Sequence, residues 1–222
     1  METLLGSTST FELQADGEAR LSYDVTALHN LSLSYVDGAS SVDRTPFRSE
    51  LGVNSVLTSG FRYTLLNLGS RYTPSKRVLI TNHLAGSRER GDVANRDDAP
   101  LSQQNYDEWT WRGDAAVTWS SHGTLDFGGL YRHMHQDGLA RQFVFTPVQA
   151  SSLDVFRGAG YRSGGYVQQT FALAQEKVHV TVGVREDAHS VSPVKVASPY
   201  GSVSLAPWSR TRVQFEWGQY AQ

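Results

Sequence analysis

The sequence predicts an all-β fold, an antiparallel meander of about ten long strands. Three observations lead there. Apolar and polar residues alternate with a period of two in segment after segment. Helical spacing of apolar residues is sustained nowhere. Short turns also alternate with long polar connections along the chain.

In chain order, a short strand is expected at 8–14. Leu21, Tyr23 and Val25 then oppose Arg20, Ser22 and Asp24, and Leu31, Leu33 and Tyr35 oppose Ser32 and Ser34. Less regular runs at 60–72 and 76–86 follow. The clearest strand is 109–120: its odd positions read Trp, Trp, Gly, Ala, Val, Trp and its even positions Thr, Arg, Asp, Ala, Thr, Ser. Successive strand side chains point to opposite faces, so one face is apolar and the other polar. Leu125, Phe127, Gly129 and Tyr131 oppose Asp126, Gly128 and Arg132; a looser run covers 163–174. Val178, Val180, Val182 and Val184 oppose His179, Thr181, Gly183 and Arg185. After a run at 199–207, Val213, Phe215 and Trp217 oppose Arg212, Gln214 and Glu216.

Short links fall at 26–30, 72–76, 121–123, 174–177 and 207–210, and long ones at 38–59, 87–108, 135–162 and 188–198. Alternating short and long connections suit a membrane barrel with turns at one rim and loops at the other. A soluble β-sandwich mixes turn lengths at both ends and remains the alternative. The strands, about 9–13 residues, exceed the 5–6 residues a soluble sheet needs. Trp109 and Trp119 share a face about 34 Å apart along the strand. A tilt of about 45° reduces that to roughly 24 Å, the height of an apolar band between aromatic girdles. The hairpin after Trp119 is expected to turn through three residues, Ser121-His122-Gly123. That register pairs Trp119 with Leu125, Val117 with Phe127, Ala115 with Gly129 and Arg112 with Arg132.

Composition narrows the classes. The chain has 222 residues, 20 basic and 22 acidic, a net charge of −2, so it lacks the basic footprint of a nucleic-acid binder and no nucleic-acid partner is expected. Zero cysteines exclude disulfides, thiolate metal sites and a cysteine nucleophile. Aromatics at 11% argue against disorder. No apolar run reaches the length of a transmembrane helix, and Met1-Glu2-Thr3-Leu4-Leu5 lacks the features of a signal peptide. A β-barrel hides its apolar residues in alternation and survives these exclusions.

The segment from Gly164 to Gln222 resembles the barrel of a TonB-dependent outer-membrane receptor. The carriers are Gly165-Tyr166-Val167-Gln168-Gln169-Thr170-Phe171, Gly183-Val184-Arg185-Glu186-Asp187, Ser198-Pro199, Leu205-Ala206-Pro207 and Trp217-Gly218-Gln219-Tyr220-Ala221-Gln222. Arg112-Gly113-Asp114 and Asp126-Phe127-Gly128-Gly129 are similar to strands of members with a carboxypeptidase-regulatory-like amino-terminal domain. The resemblance implies that residues 1–222 are part of a transmembrane outer-membrane β-barrel of a Gram-negative bacterium, with the plug and terminal strands elsewhere. It implies transport of a scarce nutrient, an unknown small-molecule substrate, outer-membrane lipid around the wall, and a TonB complex acting through the missing plug region. No cofactor is implied.

The polar faces place Arg20, Arg112, Asp114, Asp126, Arg132, Arg185, Arg212 and Glu216 toward a lumen. There they would line a substrate route or touch a plug, or simply pair with one another. His133 and His135 share a strand face as a metal pair would, without an evident third ligand. Residues 92–98 carry oxygen ligands but lack the spacing of a dedicated calcium loop. An outer-membrane hydrolase, the third class, would draw on His83, His133, His135, Asp92 and Asp98, which form no recognisable triad or dyad. The expected outcome is a wall without catalytic residues or metal ligands.

Overall fold

A computed structural model describes residues 11–145, 148–175, 177–208 and 210–219. Ten strands follow one another: β1 (Phe11–Thr26), β2 (His29–Asp43), β3 (Val56–Ser75), β4 (Val78–Asn95), β5 (Pro100–Ser120), β6 (Gly123–Phe145), β7 (Val148–Leu173), β8 (Val178–His189), β9 (Ser192–Trp208) and β10 (Thr211–Gly218). They form a single sheet in sequence order, every neighbouring pair antiparallel. β1 and β10 each keep one unpaired edge among the described residues. The expected strand at 8–14 is the start of β1; its first residues, 8–10, and the closing 220–222 lie outside the described residues.

Period-two alternation translates directly into two faces. Leu21, Leu33 and Leu68 lie in register on one side, joined through Leu84 to Trp111 and Tyr131. The same side carries Phe127, Val167 and Val184, then Val182 beside Gly201 and Trp217. These apolar side chains are not covered: Phe215 is 64% exposed, Trp217 63% and Val182 51%. Val53 and Leu57 are the buried hydrophobic residues among the described ones. A soluble sandwich would bury this face under a second sheet. Here the described strands make one layer, and an apolar face of this extent calls for lipid.

The strands are far longer than the sequence pattern predicts. β5 runs 21 residues, β6 23 and β7 26. The connections expected at 87–108, 135–162 and 188–198 are mostly strand, while that at 38–59 keeps residues 44–55 outside: between β4 and β5 only residues 96–99 remain outside, and between β8 and β9 only 190 and 191. The reason lies in the rows across the sheet. Tyr35, Leu66, Gly86, Trp109, His133 and Tyr161 are successive partners on the apolar face. Rings crowd at this level: Trp109 and Tyr131 lie 5.0 Å apart, Tyr131 and Tyr161 6.2 Å. One row further, Asp37, Thr64, Arg88, Asp107 and His135 follow one another. Asp37 accepts from Arg62 and Thr64, and Asp107 from Arg88 and Arg90. Beyond the aromatic row both faces are polar, so alternation fades although the ladder continues. At the other rim His29 and Tyr72 pack edge to face.

The β5–β6 register differs from the expected one by two residues. Val117 pairs with Leu125, Ala115 with Phe127 and Gly113 with Gly129. Arg112 stands opposite Leu130, and Arg132 opposite Thr110. The turn is the two residues Ser121-His122, closed by Ser120 and Gly123, and a bulge at Trp119 absorbs the extra residue. The Trp119 indole lies against Gly123, which keeps it on the apolar side.

A 3-10 turn, Thr45–Glu50, opens the connection between β2 and β3. Residues after it fold back over the β4–β5 turn. Asn95, fully buried, donates to the Val53 carbonyl at 2.7 Å and accepts from the Asp97 and Ala99 amides. Arg48 grips Asp98 with two hydrogen bonds, 2.8 and 3.0 Å. The oxygen-rich stretch 92–98 thus has Asn95 and Asp98 engaged in internal hydrogen bonds.

Candidate functional site

Every residue expected to point toward a lumen that the registers place falls on the face opposite the apolar one. Arg112 donates to Asp114 at 2.8 Å and 3.3 Å, two positions along the same strand face. Tyr166 reaches across from β7 and donates its hydroxyl to Asp114 at 2.8 Å. Gln168, next on the same face, donates to Asp126 at 3.1 Å, and Tyr200 of β9 donates to the Gln168 oxygen at 2.8 Å. Arg185 grips Asp187 at 2.6 and 3.0 Å, and Arg162 reaches the same carboxylate at 3.3 Å. Arg132 pairs with Glu108 at 2.9 Å.

Three expected residues stand apart. Arg212 is exposed at the start of β10 beside a concavity with Lys177 and Trp208. Glu216 accepts from Gln214 at 2.6 Å on the outermost strand. Arg20, on β1, pairs with Glu18. The network proper therefore runs over β5 to β9.

Sequence reasoning missed Arg162, Glu108 and Tyr200, and took Tyr166, Gln168 and Asp187 only as parts of motifs. Parity alone would have found some of them. Arg162, Tyr166 and Gln168 share the even face of β7, and Asp187 follows Arg185 by two. The run at 163–174 hid this because Gly164 and Gly165 interrupt its apolar alternation.

Glycines make the network possible. A Cβ on Gly128 would lie 2.8 Å from the Tyr166 ring, and one on Gly183 would lie 2.6 Å from Tyr200 Cζ. Both tyrosines thus lie across a glycine of the neighbouring strand, which lets their hydroxyls reach Asp114 and Gln168. Together with Arg112, Arg162, Arg185 and Asp187 the tyrosines line a cavity of about 570 Å³. The Asp114 and Asp187 carboxylates are the more covered partners, 19% and 20% exposed, and pairing with the exposed guanidinium groups offsets the solvation they lose.

The hydrolase candidates do not converge. His83 pairs in register with Arg112 on the polar face. His133 sits on the other face, stacked on Trp109 at 6.1 Å, and His135 pairs with Asp137 there at 3.4 Å. Asp98 is held by Arg48 at the rim. No group of three or more His, Asp or Glu suited to a metal ion occurs among the described residues.

Geometry defines the class first: a single-layered antiparallel wall with an apolar outside, aromatic rows and a charged, internally paired inside, as transmembrane β-barrels have. Solved structures narrow it. The ferric enterobactin receptor PfeA of Pseudomonas aeruginosa matches 91% of this chain with a TM-score of 0.69 at 12% identity. The alcaligin outer-membrane receptor FauA of Bordetella pertussis matches 92% at a TM-score of 0.68 and 13% identity. The siderophore receptor PirA of Acinetobacter baumannii matches 92% at 0.65 and 11%. The chain spans only 32%, 35% and 33% of these three. No protein-family model matches the chain, and no curated protein matches it in sequence. The fold is the barrel wall of outer-membrane receptors. In transmembrane β-barrels generally, apolar residues face outward and polar residues face the interior.

Proposed function

We propose that this chain is a section of the barrel wall of a TonB-dependent outer-membrane receptor that takes up a scarce nutrient. One observation carries the reading most: a continuous exposed apolar face bounded by an aromatic row, set back to back with a paired charged face, on a fold shared with siderophore receptors. Residues 1–222 form part of one barrel domain. The wall is embedded in outer-membrane lipid of a Gram-negative cell, a small-molecule substrate passes its lumenal face, and the TonB complex acts through a plug. Arg112, Asp114, Asp126, Arg132 and Arg185 line that route, with Arg212 and Glu216 toward one side of it. No residue of this segment acts as a catalyst; its charges brace one another.

The test is made on the whole protein that carries this segment. It is expected to fractionate with outer membranes and to migrate differently on gels with and without heating, as folded barrels do. A strain lacking it is expected to lose uptake of one ligand from a panel of iron chelates, cobalamin, saccharides and peptides. A protein recovered without detergent in the soluble fraction would end the proposal.

A further inference from the structure

The cavity between β5 and β9 is electrostatically unbalanced. Three guanidinium groups, Arg112, Arg162 and Arg185, line it with one carboxylate, Asp187. Asp114, just behind, is held by Arg112 and Tyr166. Asp187 must serve two arginines at once: Arg185 takes the shorter bonds, and Arg162 reaches it with a single nitrogen at 3.3 Å. The Arg162 Nε is buried and has no hydrogen-bond partner. Arg162 nonetheless keeps 37% of its side chain exposed, and a guanidinium presents its donors as a planar fork that fits a carboxylate.

Neighbouring charges do not fill the gap. Arg132, opposite Arg162 in register, adds another cation and is taken by Glu108. His189 is the other cross-strand partner of Arg162. Asp126 lies at the far side of Tyr166, held by Gln168. Positive charge therefore gathers at the Arg162–Arg185 end of the cavity. Its volume of about 570 Å³ is that of a small-ligand site.

We propose that this lumenal cavity binds a carboxylate-bearing small molecule, with Arg162 and Arg185 holding the carboxylate and Tyr166 and Tyr200 forming the walls. The proposal rests on the barrel-wall reading, since the chain's polar face is a ligand route only in a closed barrel.

The experiment uses the whole protein carrying this segment, refolded in detergent and shown to be heat-modifiable. Titration calorimetry with succinate, citrate and inorganic phosphate as probes is compared with maltose, for the parent, Arg162→Gln and Arg162→Lys. The carboxylates are expected to bind the parent and maltose not to. Affinity is expected to drop at least tenfold in Arg162→Gln, recover in part in Arg162→Lys, and fall as salt rises. Arg162→Gln is expected to stay heat-modifiable. If no carboxylate binds, or if Arg162→Gln binds citrate like the parent, the proposal is overturned. If phosphate alone binds, the ligand class is wrong and the proposal falls too. Failure to become heat-modifiable at all, in the parent, would instead overturn the barrel reading.

Discussion

Asn54 and Phe143 exchange two hydrogen bonds across 89 residues of sequence. The Asn54 amide donates to the Phe143 carbonyl at 2.8 Å and accepts from its backbone N–H at 2.7 Å. An asparagine side chain here does what a partner strand would do, and it does so for a residue near the far end of β6. The connection after the 3-10 turn is thereby tied both to the end of β4, through Val53 and Asn95, and to the end of β6, through Asn54 and Phe143.

Replacing Asn54 by Ala leaves both Phe143 groups without this partner. The expected cost is about 1–3 kcal/mol of local stability, the usual range for part-buried hydrogen bonds lost together. Amide exchange at Phe143 is the readout. It is expected to quicken in Asn54→Ala while exchange in the middle of β6 stays as it was. Unchanged exchange would mean that the connection is not docked there in solution.

The Arg48 guanidinium holds the Asp98 carboxyl below the ordinary value of 3.8. A carboxylate lowered on folding stabilises the folded arrangement above its unfolded value, and that help is lost as pH falls through the lowered one. The turn at 45–50 is therefore expected to stay docked at neutral pH and to loosen only well into acid. Protease cleavage within 45–50, followed from pH 7 downward in an acid-active protease, reads this. Asp98→Asn is expected to be cleaved readily at every pH; identical cleavage of parent and variant would refute the role of the pair.

Val182 and Arg112 test inside against outside. Val182 lies on the apolar face beside Gln169 and Gly201 and is half exposed. Arg there would cost about 2–4 kcal/mol near the bilayer centre and is expected to impair refolding into lipid vesicles. Arg112→Ala removes one partner of Asp114 but leaves Tyr166 in place, so folding is expected to proceed with a modest loss. The opposite ranking would reverse the two faces.

Gly128 and Gly165 form a matched pair of substitutions. A Cβ on Gly128 meets the Gly113 carbonyl at 2.7 Å as well as the Tyr166 ring, so backbone must move. On Gly165 the nearest atom is 3.5 Å away, an ordinary contact. Gly128→Ala is expected to cost about 1–3 kcal/mol and Gly165→Ala to be tolerated. Urea unfolding from vesicles, compared at equal lipid, measures the difference.

The strands were legible where lipid and lumen differ. Trp109 to Trp119 and Val178 to Val184 each meet apolar surroundings on one side only, and the alternation records it. Asp107, Asn105 and Gln103 share the face of Trp109 but lie beyond the aromatic row, so residues 87–108 read as a polar loop although all but 96–99 are strand. The hairpin register failed for a local reason, since a bulge at Trp119 shifts the count without leaving a mark in residue type. Arg112, Asp114 and Arg185 were visible from parity. The bonds of Tyr166 to Asp114 and of Arg162 to Asp187 were not, because they cross strands and depend on how those strands are registered, whereas Arg185 and Asp187 lie two apart on one strand.

Among the described residues, strands pair only with their neighbours in sequence. Such a sheet can grow like a zipper: each addition closes a short stretch of chain and gains a full ladder at once, so the entropy lost per step stays small. Closing the wall into a ring is different, because it joins strands at opposite ends of the sequence. Among the described residues β1 and β10 each keep one edge of unpaired backbone, and any pairing that joins those two edges would have to enclose nearly all of the chain between them.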